Sequence, residues 1–175
     1  MYFKDYLNKF KTVIDSLDLS NVESIKNIIK SKKKENIHIF GNGAGASIAS
    51  HFANDLTNSA NFKVYSYDNS AQITCLANDY KYSNWVKKII EHYVNKKDLV
   101  IFISASGESK NMIQGAKLCI KKKYKFITIT GFNQKNSLNS LSKYSCWINS
   151  KSYNYVELVQ LFILLSIVDN LNKKK

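Results

Sequence analysis

Leu99-Val100-Ile101-Phe102-Ile103-Ser104-Ala105-Ser106-Gly107-Glu108-Ser109 is the stretch on which the reading of the fold turns. Its first half is an unbroken apolar run rich in β-branched residues, the pattern of a strand buried on both faces of a parallel sheet. Its second half is small and hydroxylated, and from Ser109 the pattern becomes helical through residue 122. Strand, polar turn and helix in that order put the turn at the carboxyl end of the strand, where open α/β sheets bind ligands. A second turn of this kind, Gly41-Asn42-Gly43-Ala44-Gly45-Ala46-Ser47, follows Ile37, Ile39 and Phe40. Two such turns, each offering free backbone N–H groups, form a cradle suited to a phosphate group.

Working outward, strands are expected over residues 36–41, 62–67, 98–104, 125–131 and 145–149, with helices over 47–58, 83–94, 109–122 and 153–172. Two helices precede the first strand. One carries Tyr2, Phe3, Tyr6, Leu7, Phe10, Val13, Ile14 and Leu17 at helical spacing, and the other carries Val22, Ile25, Ile28 and Ile29 after a Ser20-Asn21 cap. Alternating strands and helices of these lengths imply a three-layer α/β sandwich with a central parallel sheet. Residues 1–175 read as one domain, with 1–34 used in packing or oligomerisation. The last helix is apolar nearly all round, wider than a surface helix needs, which points to packing against another subunit. Its run over 161–168 is shorter than the roughly 20 residues of a membrane span and reads as a buried helix.

The net charge of +13 raises a nucleic-acid reading, yet all 26 basic residues are lysine. Arginine supplies most bidentate phosphate and base contacts, and lysine clusters such as Lys32-Lys33-Lys34, Lys121-Lys122-Lys123 and Lys173-Lys174-Lys175 suit solvated helix ends. Nucleic acid is therefore the least favoured partner. Cys75, Cys119 and Cys146 are odd in number and widely spaced, as buried free thiols in a reducing cytoplasm would be. No charged and apolar leader opens the chain, so secretion is not expected.

The first loop is not G-x-G-x-x-G, and only Asp68 offers an acidic ribose partner, so a dinucleotide is disfavoured. The loop also lacks the Lys-Ser/Thr of a P-loop. In the second loop Ser104, Ser106 and Ser109 bring three hydroxyls to a helix start, which suits a phosphate monoester bound without a metal. The alternative is that they cap the helix and satisfy the turn. His51 and Asp55 stand four apart and share a helix face, a catalytic or metal-binding geometry that is also an ordinary surface pair. Asn78-Asp79 is a further polar pair. His38 and His92 have no visible partner.

These pieces, Gly41-Asn42-Gly43, His51-Phe52-Ala53-Asn54-Asp55-Leu56, Ala77-Asn78-Asp79-Tyr80, the serine loop and Ile127-Thr128-Ile129-Thr130-Gly131, resemble the sugar isomerase (SIS) domain family, in its phosphoheptose isomerase branch. The resemblance implies a flavodoxin-like fold with N-terminal helices and a long C-terminal helix. It implies a cytoplasmic homotetramer, or a dimer, with sites between subunits. It implies isomerisation of sedoheptulose 7-phosphate, or a related sugar phosphate, through an enediol, in heptose, capsule or lipopolysaccharide biosynthesis. Asn42, Gly43, Ser47, Asp79, Ser104, Ser106 and Ser109 would bind the sugar phosphate. Asp55, at the family's catalytic glutamate position, His51 and Glu157 would move the proton. The family often holds zinc, with His51 at a ligand position. Here Val156 and Leu164 replace a glutamine ligand and the essential histidine, which disfavours the usual zinc set. Gly45 stands where the family places a phosphate-binding serine. The alternative function is a SIS protein without turnover that binds a sugar phosphate or a protein partner such as the bacterial replication initiator.

Overall fold

The expected alternation is present in the computed structural model, which describes residues 1–172; the lysines at 173–175 lie outside the described residues. In chain order the elements are α1 (Tyr2–Asp15), α2 (Leu19–Lys30), β1 (Asn36–Phe40), α3 (Ala44–Ala60), β2 (Lys63–Ser66) and α4 (Ser70–Tyr80). A short 3-10 turn (Tyr82–Asn84) leads to α5 (Trp85–Tyr93), followed by β3 (Leu99–Ser104), α6 (Lys110–Lys122), β4 (Lys125–Thr130), α7 (Ser137–Leu141), β5 (Ser145–Trp147) and α8 (Tyr153–Leu171). The strands form one sheet in the order β2-β1-β3-β4-β5, parallel at every pairing. Strand order therefore reverses between β1 and β3, which is the topological switch point where such sheets take ligands.

Because side chains alternate along a strand, the sheet has two unlike faces. Ile37, Ile39, Ile101, Ile103, Ile127 and Ile129 turn to one side and pack with α2, α3 and α8 in an aliphatic core. Phe40, Val100, Phe102 and Phe126 turn to the other and meet Trp85, Val86, Ile89 and Ile90 of α5 and Met112 of α6. His38 lies on this second side, 2% exposed. Its ring stacks on Tyr65 and Tyr67, its Nδ1 is 2.7 Å from Tyr67 Oη, and its Nε2 is 3.3 Å from Asp98 Oδ2. Burial holds His38 below its usual pKa, so Nε2–H donates to the carboxylate and Nδ1 accepts from the tyrosine. Burial works against the Asp98 carboxylate, but the N–H groups of Asn95 and Asn36 and the His38 bond outweigh it and keep its pKa low. The pair thus ties β1 to the segment entering β3.

Several expectations are corrected. The cap of α2 is Asp18, whose carboxylate accepts from Ser20 and Asn21 N–H, not Ser20-Asn21 itself. Helix α3 begins three residues before the expected start, directly off Gly43. Helices α4 and α7 were not anticipated. The first buries no residue and the second is five residues long with only Leu138 buried, so neither leaves an apolar stripe to read. Cys75 is exposed; only Cys119 and Cys146 are buried, and burial pushes each thiol up to about 12. Helix α8 is long and apolar enough to cross a membrane by length and composition, yet it packs on α3 and buries Val156, Val159, Ile163, Leu164, Ile167 and Val168 in the aliphatic core. Its outer side leaves Leu158 44% and Phe162 48% exposed.

Candidate functional site

The loop after β1 is shaped by backbone proximity. A Cβ on Gly41 would lie 2.2 Å from the carbonyl carbon of Gly45, so only glycine lets the strand end turn this sharply into α3. Asn42, in the turn, is tied to α6. Its Nδ2 donates to Asn111 Oδ1 (3.1 Å), and its Oδ1 accepts from Asn111 Nδ2 (2.9 Å) and Tyr82 Oη (3.3 Å). Asn111 is 1% exposed and Asn42 half-buried, so this reciprocal amide pair is a part-buried strut between the first loop and the start of α6.

Hydroxyls shape the loop after β3. Ser104 Oγ accepts from Gly107 N–H (3.2 Å) and donates to Ser109 Oγ (3.4 Å), while Ser106 Oγ accepts from Glu108 N–H (3.2 Å). These serines therefore do satisfy the turn. Accepting uses only one side of each hydroxyl, and the Ser106 proton stays available to a ligand oxygen. Ser109 is the N-cap of α6 without making a side-chain cap bond. Glu108 points away and accepts from Ser137 N–H and Oγ, which lower its pKa and pin α7.

Between the loops and α8 lies a cleft of about 130 Å³. Asn42, Gly45, Ser104, Ser106 and Ser109 line one side, and Tyr153, Glu157 and Gln160 line the other. Glu157 also borders a shallower groove of about 440 Å³ along α1, α3 and α8, with Ser47, Tyr6, Leu158 and Leu161. So one carboxylate stands between an inner and an outer space. A hollow of about 590 Å³ by Lys30, Lys33, Asn61 and Asn170 lies at the far ends of α3 and α8, away from both loops.

The remaining expected residues sit outside the inner cleft. Ser47 is in the outer groove. His51 follows one turn along the same face of α3, its Nε2 3.0 Å from Asp55 Oδ2, with the side chains 52% and 41% exposed. Gly43 is exposed, with φ 54°. Asp79 lies on α4, accepting from Asn78 Nδ2 at 3.1 Å and from Cys75 Sγ at 3.8 Å. Asn111, Tyr82, Tyr153 and Gln160 were not anticipated. Gln160 had a signal: it is the lone polar residue on the inward stripe of an apolar helix, one turn from Glu157.

The residues do not fit the zinc set that the resemblance implies. Val156 is fully buried, and a Cβ on Gly131 would meet its Cγ2 at 2.4 Å, so an apolar side chain fills that corner against the backbone. Leu164 is fully buried in the aliphatic core. Among the described residues no group of three or more His, Cys, Asp or Glu side chains is placed to hold a metal.

Strand order and loop placement define the class: a doubly wound α/β domain with a crevice at the β1/β3 switch point, where such folds take ligands. Within that class, the chain belongs to the SIS domain family, which matches residues 1–131. It is 25% identical over 186 residues to the phosphoheptose isomerase of Buchnera aphidicola subsp. Acyrthosiphon pisum (strain Tuc7), covering 94% of this chain and 96% of that protein. Its fold is similar to phosphoheptose isomerase GmhA from Neisseria gonorrhoeae, with a TM-score of 0.87 at 18% identity over 97% of this chain and 95% of that one. It is also similar to the phosphoheptose isomerase from Francisella tularensis, with a TM-score of 0.82 at 18% identity over 99% and 95% of the two chains.

Proposed function

We propose that this protein is a phosphosugar aldose–ketose isomerase of the phosphoheptose type, acting on sedoheptulose 7-phosphate or a closely related sugar phosphate. The observation that carries the reading is the inner cleft, where Glu157 faces the three serines of the β3 loop across a space large enough for a phosphate and the adjoining carbons. The serine hydroxyls and the N-terminus of α6 hold the phosphate monoester. A carboxylate then takes the proton from C1 of the ketose. The resulting enediol accepts a proton at C2 while one hydroxyl proton passes between O2 and O1, so no oxidant or reductant is consumed. Glu157 is the carboxylate each chain offers its own cleft.

His51, Asp55 and Asp79 serve a site completed by a neighbouring copy. The apolar outer side of α8, together with Tyr2, Phe3 and Leu7 exposed on α1, supports a homo-oligomer, of which a tetramer is the form that the resemblance implies. The three free cysteines suit a cytoplasmic enzyme, and its product would feed envelope or capsule heptose synthesis. A second reading, sugar-phosphate binding without turnover, draws on the apolar Val156 and Leu164, buried where the resemblance implies a metal ligand and an essential histidine.

An NMR time course of the purified protein with sedoheptulose 7-phosphate decides between them. New heptose 7-phosphate resonances are expected, and Glu157→Gln slows their growth by a factor of about 10²–10⁴ while line broadening by the ligand persists. Broadening without turnover in the wild-type protein establishes the second reading instead.

A further inference from the structure

Gln160 is 1% exposed, yet it lines the inner cleft beside Glu157. Its Nε2 donates to the Ile129 carbonyl oxygen at 2.9 Å, at the carboxyl end of β4. A carbonyl can only accept, so the branch facing Ile129 must be the NH₂ group, and the amide orientation is set by chemistry. The other branch is the oxygen Oε1. It takes no hydrogen bond from the described residues and is not sealed away from the cleft. The cleft wall therefore presents a fixed acceptor, held by a strand on one side and by α8 on the other.

The dianion of a phosphate monoester offers no proton to such an acceptor, whereas a sugar hydroxyl does. The serine loop across the cleft supplies donors and the Gln160 wall supplies an acceptor. We propose that Gln160 is a sugar-selecting residue, its Oε1 accepting a hydrogen bond from a hydroxyl of the polyhydroxy chain whose phosphate sits in the serine loop. This rests on the reading of the cleft as a sugar-phosphate site. It extends that reading by dividing the cleft into a phosphate end and a hydroxyl end.

Calorimetric titration of the full chain and of Gln160→Met, an unbranched side chain of similar length, tests the division with two probes. Sedoheptulose 7-phosphate is expected to bind the variant about tenfold more weakly, and inorganic phosphate equally well. Unchanged sugar-phosphate affinity overturns the assignment while leaving the site intact, and equal weakening of both probes reduces Gln160 to a support of the loop. If the wild-type protein binds neither probe, the reading of the cleft fails and this inference with it. A measurement that needs no variant uses ¹⁵N-glutamine labelling, which reports only the side chains of Gln72, Gln114, Gln134 and Gln160. The Gln160 amide resonances move with sedoheptulose 7-phosphate and stay in place with inorganic phosphate; a Gln160 signal indifferent to the sugar overturns the proposal.

Discussion

The two loops at the switch point do the same geometric job with different chemistry. The loop after β1 is closed by the approach of Gly41 to Gly45, and its one polar side chain, Asn42, is spent on Asn111 and Tyr82. The loop after β3 is closed by the Ser104 and Ser106 hydroxyls, of which Ser106 keeps its proton free. The first loop is therefore a turn of fixed shape offering mostly backbone, and the second presents hydroxyls, which is where the proposed function places the phosphate. Changes in the first are expected to cost stability, and changes in the second are expected to cost affinity.

The comparison breaks most visibly at Gly41. Gly41→Ala drives a methyl group into the Gly45 carbonyl, which nothing short of moving α3 relieves, and a loss of more than about 3 kcal/mol is expected in urea denaturation. A variant as stable as the parent would show the turn to be loose. In the second loop, Ser106→Ala should lower sugar-phosphate affinity by about tenfold in calorimetry with the thermal midpoint little changed. Unaltered affinity would contradict the cradle.

Gly45 offers a way to make the first loop resemble the second. A Cβ there meets only ordinary contacts, Ile103 O at 3.7 Å and the Ile103 side chain beyond it, and the position lines the cleft. Gly45→Ser is expected to tighten phosphate binding by about threefold and to favour the first turn of α3. Weaker binding would mean that the backbone of this loop, rather than the space above it, makes the contact.

The smallest effect concerns pH and the joint beneath both loops. His38 has its folded pKa below the unfolded value of 6.5, so the unfolded chain binds the proton more readily. Its contribution is intact above about pH 6.5 and is lost as pH falls from there toward the folded value. Asp98, also depressed, adds a loss that begins only as pH falls below the ordinary carboxylate value of 3.8. Denaturation midpoints across pH 7 to 5 should decline in the parent and flatten in His38→Gln. Parallel curves would remove His38 from the acid response.

The sheet and both loops were legible because β-branched runs and glycine–serine turns signal through local chemistry alone. Helix α4 was not, since Ile73 and Leu76 are only partly covered and no residue of it is buried. The candidate site was legible where it depends on one loop, as at Ser104, Ser106 and Ser109. It was illegible where it depends on partners distant in sequence. Asn111 matters because it meets Asn42, and His38 because Asp98, sixty residues later, meets its ring. His51 and Asp55 were paired correctly by spacing, but spacing could not say that the pair faces outward.

Glu157 borders the inner cleft and the outer groove at once. Any occupant of the groove alters the field and the freedom of a side chain that an occupant of the cleft would also feel. Coupling of this kind is reciprocal, so ligand in the cleft must change the affinity of whatever fills the groove by the same factor. If the occupant is a second copy, ligand affinity and self-association become one linked equilibrium, and the apparent dissociation constant drifts with protein concentration.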